Sequence, residues 1–164
     1  MLLDEVAAAS ADVAATSSRL KKVERLSSVL ARLRPEEVPI AVAYLSGALP
    51  HGSIGVGWAS LREVPSPAAS ATLELVEVDA TLRHVGGLAG AGSQAARREA
   101  LRDLFGRATV PEQGFLRGLL TGEIRQGALE GVMVDAVSRA ANVPLAEVRR
   151  AAMLAGDLGA VAAA

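Results

Sequence analysis

The residues in this chain best suited to holding an anion are Arg125 and the glycines around it, in the run Leu120-Thr121-Gly122-Glu123-Ile124-Arg125-Gln126-Gly127. The run ends where a 3.6-residue apolar period begins at Leu129, Val132, Met133, Ala136, Val137 and Ala140, which predicts a helix starting near Gly127. The first N–H groups of a helix have no partner within it, and the helix dipole favours negative charge at that end. Glycine lets backbone approach a bulky group with no Cβ in the way. A helix start with glycines and a guanidinium beside it can therefore receive a phosphate.

The same order of features occurs earlier. A shift of 75 positions lays Leu45-Ser46-Gly47-Ala48-Leu49-Pro50-His51-Gly52 over that run, Leu45 falling on Leu120. In this register Ser18 meets Ser93, Lys22 meets Arg97, Glu24 meets Glu99, Leu26 meets Leu101, Arg32 meets Arg107 and Glu37 meets Glu112. Each half reads as a serine, a basic helix, a second helix, Leu-[Ser/Thr]-Gly-x-[Leu/Ile], a glycine and a third helix. Half-repeats over roughly 16–64 and 91–141 predict an internal pseudo-two-fold and two like phosphate sites, suited to a partner with approximate two-fold symmetry of its own.

The elements that must position these residues are all helical. Leu2 to Ala15 is amphipathic, with acids in its first turn. Thr16-Ser17-Ser18 supplies caps for a helix with Leu20, Val23, Leu26, Leu30 and Leu33 on its apolar face and basic residues opposite. Pro35-Glu36-Glu37 opens a helix that Gly47 ends. Pro50 to Gly57 reads as a tight connection, Trp58 to Val64 as a short helix, and Pro65 to Ser70 as a linker between halves. Leu73 to Val85 is helical in its second part, Ser93 is the expected N-cap for Gln94 to Arg107, and Thr109-Val110-Pro111-Glu112 is a capping box. Leu145 to Ala155 is a further helix with Val148, Ala152 and Leu154 inward, and Ala160 to Ala164 carries no stop signal, as at the edge of a fragment. The expected fold is all-α, one domain over 1–164 with about nine or ten helices.

Composition narrows the chemistry. There is no cysteine and there are only two histidines, His51 and His84, far apart, so thiolate and clustered-imidazole chemistry have no residues to work with. No metal site and no catalytic residue are expected. A signal peptide's basic start is missing, and no run reaches the ~18 apolar residues of a membrane span. A cytoplasmic, monomeric domain is expected, without membrane contact. Net charge is −1, but Arg19, Lys21, Lys22, Arg25, Arg32 and Arg34 gather in one stretch and Arg97, Arg98, Arg102 and Arg107 in another. Such faces fit a polyanion; the competing reading is solvated helix faces balanced by neighbouring acids.

Laid out this way, the chain resembles the N-terminal DNA-binding domain of ATP-dependent DNA ligases of the archaeal, eukaryotic and actinobacterial type. The residues that carry the resemblance are Thr16 to Leu20, Val78-Asp79-Ala80-Thr81-Leu82, Gly90-Ala91-Gly92-Ser93-Gln94, and above all Ala108 to Leu116 leading into Leu120 to Gly127. The resemblance implies an all-helical domain lying on the minor groove on both sides of a nick. It matches Gly92, Ser93, Gln94 and Arg97 to the family's loop and basic-helix phosphate contacts, and Gly122, Arg125 and Gly127 to its second contact region. By the internal repeat, Ser18, Arg19, Lys22, Gly47, His51 and Gly52 serve the other side of the nick, with Pro50 in place of the arginine and Ala91 where the family often has lysine.

Such ligases form a covalent AMP adduct on a Lys-x-Asp-Gly lysine, whereas Lys21 and Lys22 are the only lysines here and neither precedes Asp-Gly. The expectation is thus a fragment, inactive alone, of an enzyme of DNA replication, repair and recombination. It binds nicked duplex without reading sequence and places it for adenylation and OB-fold domains in cis, associated with the bacterial nucleoid. No cofactor is expected in this chain; ATP and Mg belong to the full-length enzyme. The alternative is a helical protein–protein interaction module binding an acidic partner. A helix-turn-helix regulator fits two like halves poorly.

Overall fold

A computed structural model describes the chain except for residues 53, 58–60, 62 and 125–128 and the side chains at 129 and 130. Among the described residues there are nine α-helices: α1 Leu3–Ala14, α2 Arg19–Leu30, α3 Val38–Leu45, α4 Leu75–Gly87, α5 Ser93–Arg107, α6 Val110–Thr121, α7 Leu129–Ala141, α8 Leu145–Ala155 and α9 Leu158–Ala163. The all-helical fold expected from periodicity is the one observed. The Trp58 to Val64 helix falls largely outside the described residues.

Local chemistry sets the helix ends. The Ser18 side chain caps α2 by accepting from the Lys21 N–H. Glu112 reaches back to the Thr109 N–H at 2.8 Å, and Glu37 to the Arg34 N–H at 2.9 Å, so the two carboxylates paired by the 75-residue shift do the same work in each half. Pro35 to Glu37 form a 3-10 turn leading into α3.

Three expectations fail at helix ends. Gly92, at φ +82°, occupies the N-cap of α5 in place of Ser93, because the turn from Gly90 needs left-handed backbone that serine enters at a cost. Leu20 is 64% exposed and Leu154 83%. Leu20 stands in the first turn of α2 and Leu154 in the last turn of α8, where the buried stripe has not begun or has already left the core. The Ala-rich end is helical: Asp157 caps α9, and Gly159 lets it close on Pro39 of α3.

The core is aliphatic, with Tyr44 and Phe105 the largest fully buried side chains and Tyr44 tilted against Phe115. Packing is interleaved across the linker. Helix α1 lies on α2 and on α6, while α4 lies on α5 and on α3. Helix α7 packs on α2 and α8, and α9 on α3. The starts of α1 and α4 are joined by a reciprocal pair of hydrogen bonds, Leu3 N–H to Leu73 O at 2.8 Å and Leu75 N–H to Met1 O at 3.0 Å. The linker is itself anchored, since Ala68 N–H donates to Ala108 O and the Gln113 side chain donates to Pro65 O. Among the described residues no helix is long and apolar enough to cross a membrane.

Candidate nucleic-acid interface

The anchoring of α5 is confined to its C-terminal half, where Leu101, Leu104 and Phe105 are buried. Its N-terminal half stands out from the core, carrying Ser93, Gln94, Arg97 and Arg98, with Arg102 exposed further along the helix. Gly90 and Gly92, at φ +83° and +82°, shape the turn before it. Nothing lies within 4 Å of where their Cβ atoms would be, so the backbone there is open to an incoming group. The Arg97 guanidinium folds back, donating from Nη2 to Leu88 O at 2.5 Å. This bond closes the 88–92 turn.

The connection after α3 lies across this region. Ile54 seats on Gly86 of α4, where a Cβ would come within 2.7 Å of its Cγ2, and a Cβ on Gly55 would lie 3.5 Å from Arg97 Nη1. His51 begins the same connection, its Nε2 lying 3.0 Å from Asp79 Oδ2 and 3.0 Å from Arg83 Nε. Gly52 follows at φ +74°, with open space around it. The structure thus brings Gly55 to Arg97 of α5 and ties His51, at the start of the same connection, to α4, although the repeat had assigned His51 and Arg97 to opposite sides.

A second gathering has the crossed composition. Ser18, Arg19 and Lys22 occupy the first turns of α2, facing the link from α6 to α7 and the α7 start. Arg19 donates through Nε and Nη2 to Asp135 Oδ2, at 3.2 and 2.7 Å, and through Nη2 to Gly131 O at 3.0 Å. Lys22, Glu123 and Ile124 share the wall of a cleft of about 700 Å³ between α1 and α6. Gly122 caps α6 at φ +72°, and the Glu123 and Ile124 N–H groups turn back onto Gly118 O. Arg125 and Gly127 lie outside the described residues.

One contact joins the two gatherings. Gly47, at φ +77°, stands against the backbone of Ile124, so that a Cβ at position 47 would come within 2.0 Å of the Ile124 carbonyl oxygen. The glycine that ends α3 and the link that follows α6 are thereby pressed together.

The basic faces divide into answered and unanswered charges. Arg25 pairs with Asp12, Arg32 with Glu5, Arg34 with Glu37, Arg107 with Glu77 and Arg139 with Glu24. For these residues the balanced-face reading is the right one. Lys21, Lys22, Arg98 and Arg102 make no ion pair among the described residues and stand beside the two gatherings. Arg83 and Asp79, absent from the sequence reading of the site, stand against His51; their one sequence signal is the four-residue acid–base spacing along α4.

The family model for the DNA ligase N terminus matches residues 55–138, about half of the chain and including α4, α5, α6 and most of α7. The chain belongs to the DNA ligase N-terminal family. It is 60% identical over 164 residues to a "Probable DNA ligase" of Mycolicibacterium gilvum (strain PYR-GCK), covering all of this chain and 32% of that protein. It is 55% identical over 166 residues to "DNA ligase B" of Mycobacterium tuberculosis (strain ATCC 25618 / H37Rv), covering 33% of it. This ligase N-terminal chain therefore spans about a third of the length of the curated relatives it matches. Among the described residues no three His, Cys, Asp or Glu side chains converge, and neither lysine precedes Asp-Gly.

Proposed function

We propose that the chain binds nicked duplex DNA without reading its sequence, through phosphate contacts reached from the minor-groove side. In this way it positions the break for ATP-dependent ligation by catalytic domains carried on further polypeptide. The observation that carries this reading is the crossed pairing: the start of each basic helix, α2 or α5, meets the glycine-bearing connection that follows the second helix of the other half. Each pairing offers open backbone and cations to a sugar-phosphate strand, and Gly47 against Ile124 keeps the two pairings adjacent. Phosphate contacts fix register and carry no base information. The reciprocal packing of α1 on α6 and α4 on α3 supports two like half-sites on the two sides of a break.

In this reading Gly92, Ser93, Gln94 and Arg97 form one contact region together with His51 and Gly52. Ser18, Arg19 and Lys22 form the other with Gly122, Arg125 and Gly127. The chain acts as a monomer in the bacterial cytoplasm, at the nucleoid, within replication and repair; ATP and Mg act in the parts that do the chemistry.

Fluorescence anisotropy with nicked duplexes of two unrelated sequences tests the reading. With about six phosphates contacted, the log–log salt slope is expected near −5, and the two affinities agree within a few-fold. Replacing Arg98 and Arg102 together by alanine should flatten the slope by roughly 1.8, two counterion-releasing contacts at about 0.9 each. A preference of about a hundredfold or more for one sequence, which specific readers exceed, overturns it. So does binding insensitive to salt.

A further inference from the structure

Asp79 is 1% exposed, and its carboxylate is held by side chains from three elements. The Tyr44 hydroxyl of α3 donates to Oδ1 at 3.3 Å, Arg83 of α4 donates from Nη2 to Oδ2 at 3.0 Å, and His51 Nε2 approaches Oδ2 at 3.0 Å. Burial, and then the Asp79 charge, push the Tyr44 hydroxyl up, so it remains a donor. One account of this arrangement is structural: a buried carboxylate is costly unless it is paired and hydrogen-bonded.

Its geometry suggests another. Arg83 is 63% exposed and the His51 side chain 35%, so both heads reach the surface; Arg83 Nη2 is bonded to the buried carboxylate, and His51 Nε2 sits within reach of both, accepting from Arg83 Nε in one tautomer or donating to Asp79 in the other. Arg83 Nε is directed at His51 and one Nη2 hydrogen at Asp79, which leaves the Nη1 hydrogens and the second Nη2 hydrogen for a ligand. The same anchor holds the start of the connection that brings Ile54 onto Gly86 and Gly55 towards Arg97.

We propose that Asp79 is a positioning residue of the nucleic-acid face, and that Arg83, set by it beside His51, is a phosphate contact. The inference rests on the DNA-binding reading above. Side-chain order that binding would otherwise have to impose is already in place before the ligand arrives.

Anisotropy of the 164-residue chain with nicked duplex, across a range of salt, tests it, with far-UV circular dichroism as the check on folding. Arg83→Ala is expected to lower affinity and flatten the log–log slope by about 0.9, one phosphate contact. Asp79→Asn removes a negative charge, which through charge alone would tighten binding to a polyanion. As the loss of a positioning group it should instead weaken binding by roughly two- to tenfold, the cost of ordering one long side chain. Arg83→Lys keeps the charge without the planar fork that bridges Asp79 and His51, and is expected to bind nearly as weakly as Arg83→Ala.

An unchanged slope in Arg83→Ala overturns the phosphate contact. Asp79→Asn that binds tighter than the parent, or Arg83→Lys that binds like it, overturns the positioning role. If Asp79→Asn does not fold, the two Arg83 variants decide. Failure of the parent chain to bind nicked duplex at all is a different result, and removes the underlying reading instead.

Discussion

Glu37 is 1% exposed, with the Arg34 backbone and guanidinium and the Met1 ammonium gathered on its carboxylate. Burial pushes its pKa up, but the Arg34 and amino-terminal hydrogen bonds outweigh that and hold it down at about 2. A group whose folded pKa lies below its unfolded value of about 4.3 stabilises the fold above that unfolded value and loses the contribution as pH falls towards the folded one. Glu37→Gln should therefore melt below the parent at neutral pH, with the gap closing as pH drops from about 4 to about 2. Circular dichroism melts across that range check it, and a pH-independent gap would mean the charge is not what Glu37 contributes. The capping role of Glu112 was legible in Thr109-Val110-Pro111-Glu112, because a capping box is a local bond. The burial of Glu37 and Asp79 was not, because their partners Met1 and His51 lie 36 and 28 residues away. Nothing short of the packed fold brings such groups together.

Among the elements, periodicity and caps placed α1, α2, α4, α6, α7 and α8 correctly, and misjudged which residues near some helix ends are buried. Leu20 and Leu154 have the spacing of buried residues, yet a helix buries its stripe only where another helix lies against it. Helix α9 was missed because alanine repeats have no amphipathic period; its evidence is Asp157 as cap and the fit of Gly159 on Pro39. The crossed pairing at the candidate interface was also out of reach of the repeat. An offset shows which segments are alike, while which connection faces which basic helix depends on α1 lying on α6 and α4 on α3. Gly47 ties those pairings together, and alanine there would need positive φ as well as room held by the Ile124 carbonyl. Gly47→Ala should cost about 1–3 kcal/mol from backbone strain alone, before Ile124 moves. It should also weaken DNA binding, since both connections shift. Thermal melts paired with anisotropy measure the two losses, and a variant as stable as the parent would show that the contact gives way freely.

For the whole molecule, the net charge of −1 is a poor guide, because much of the basic charge is spent on internal ion pairs while Lys21, Lys22 and Arg98 stand beside the two gatherings. The interleaving has a consequence of its own. The polypeptide crosses between halves once, along Pro65 to Ser70, yet α1 grips α6, α3 grips α4, and residues 1–3 clasp residues 73–75. A protease site inserted at Ser66 and cut after folding should thus leave two pieces that elute together in native size-exclusion chromatography and separate only in denaturant. Covalent continuity would then matter for assembling this domain and not for keeping it whole, so that a protein proposed to hold severed strands in register would itself stay in register when severed.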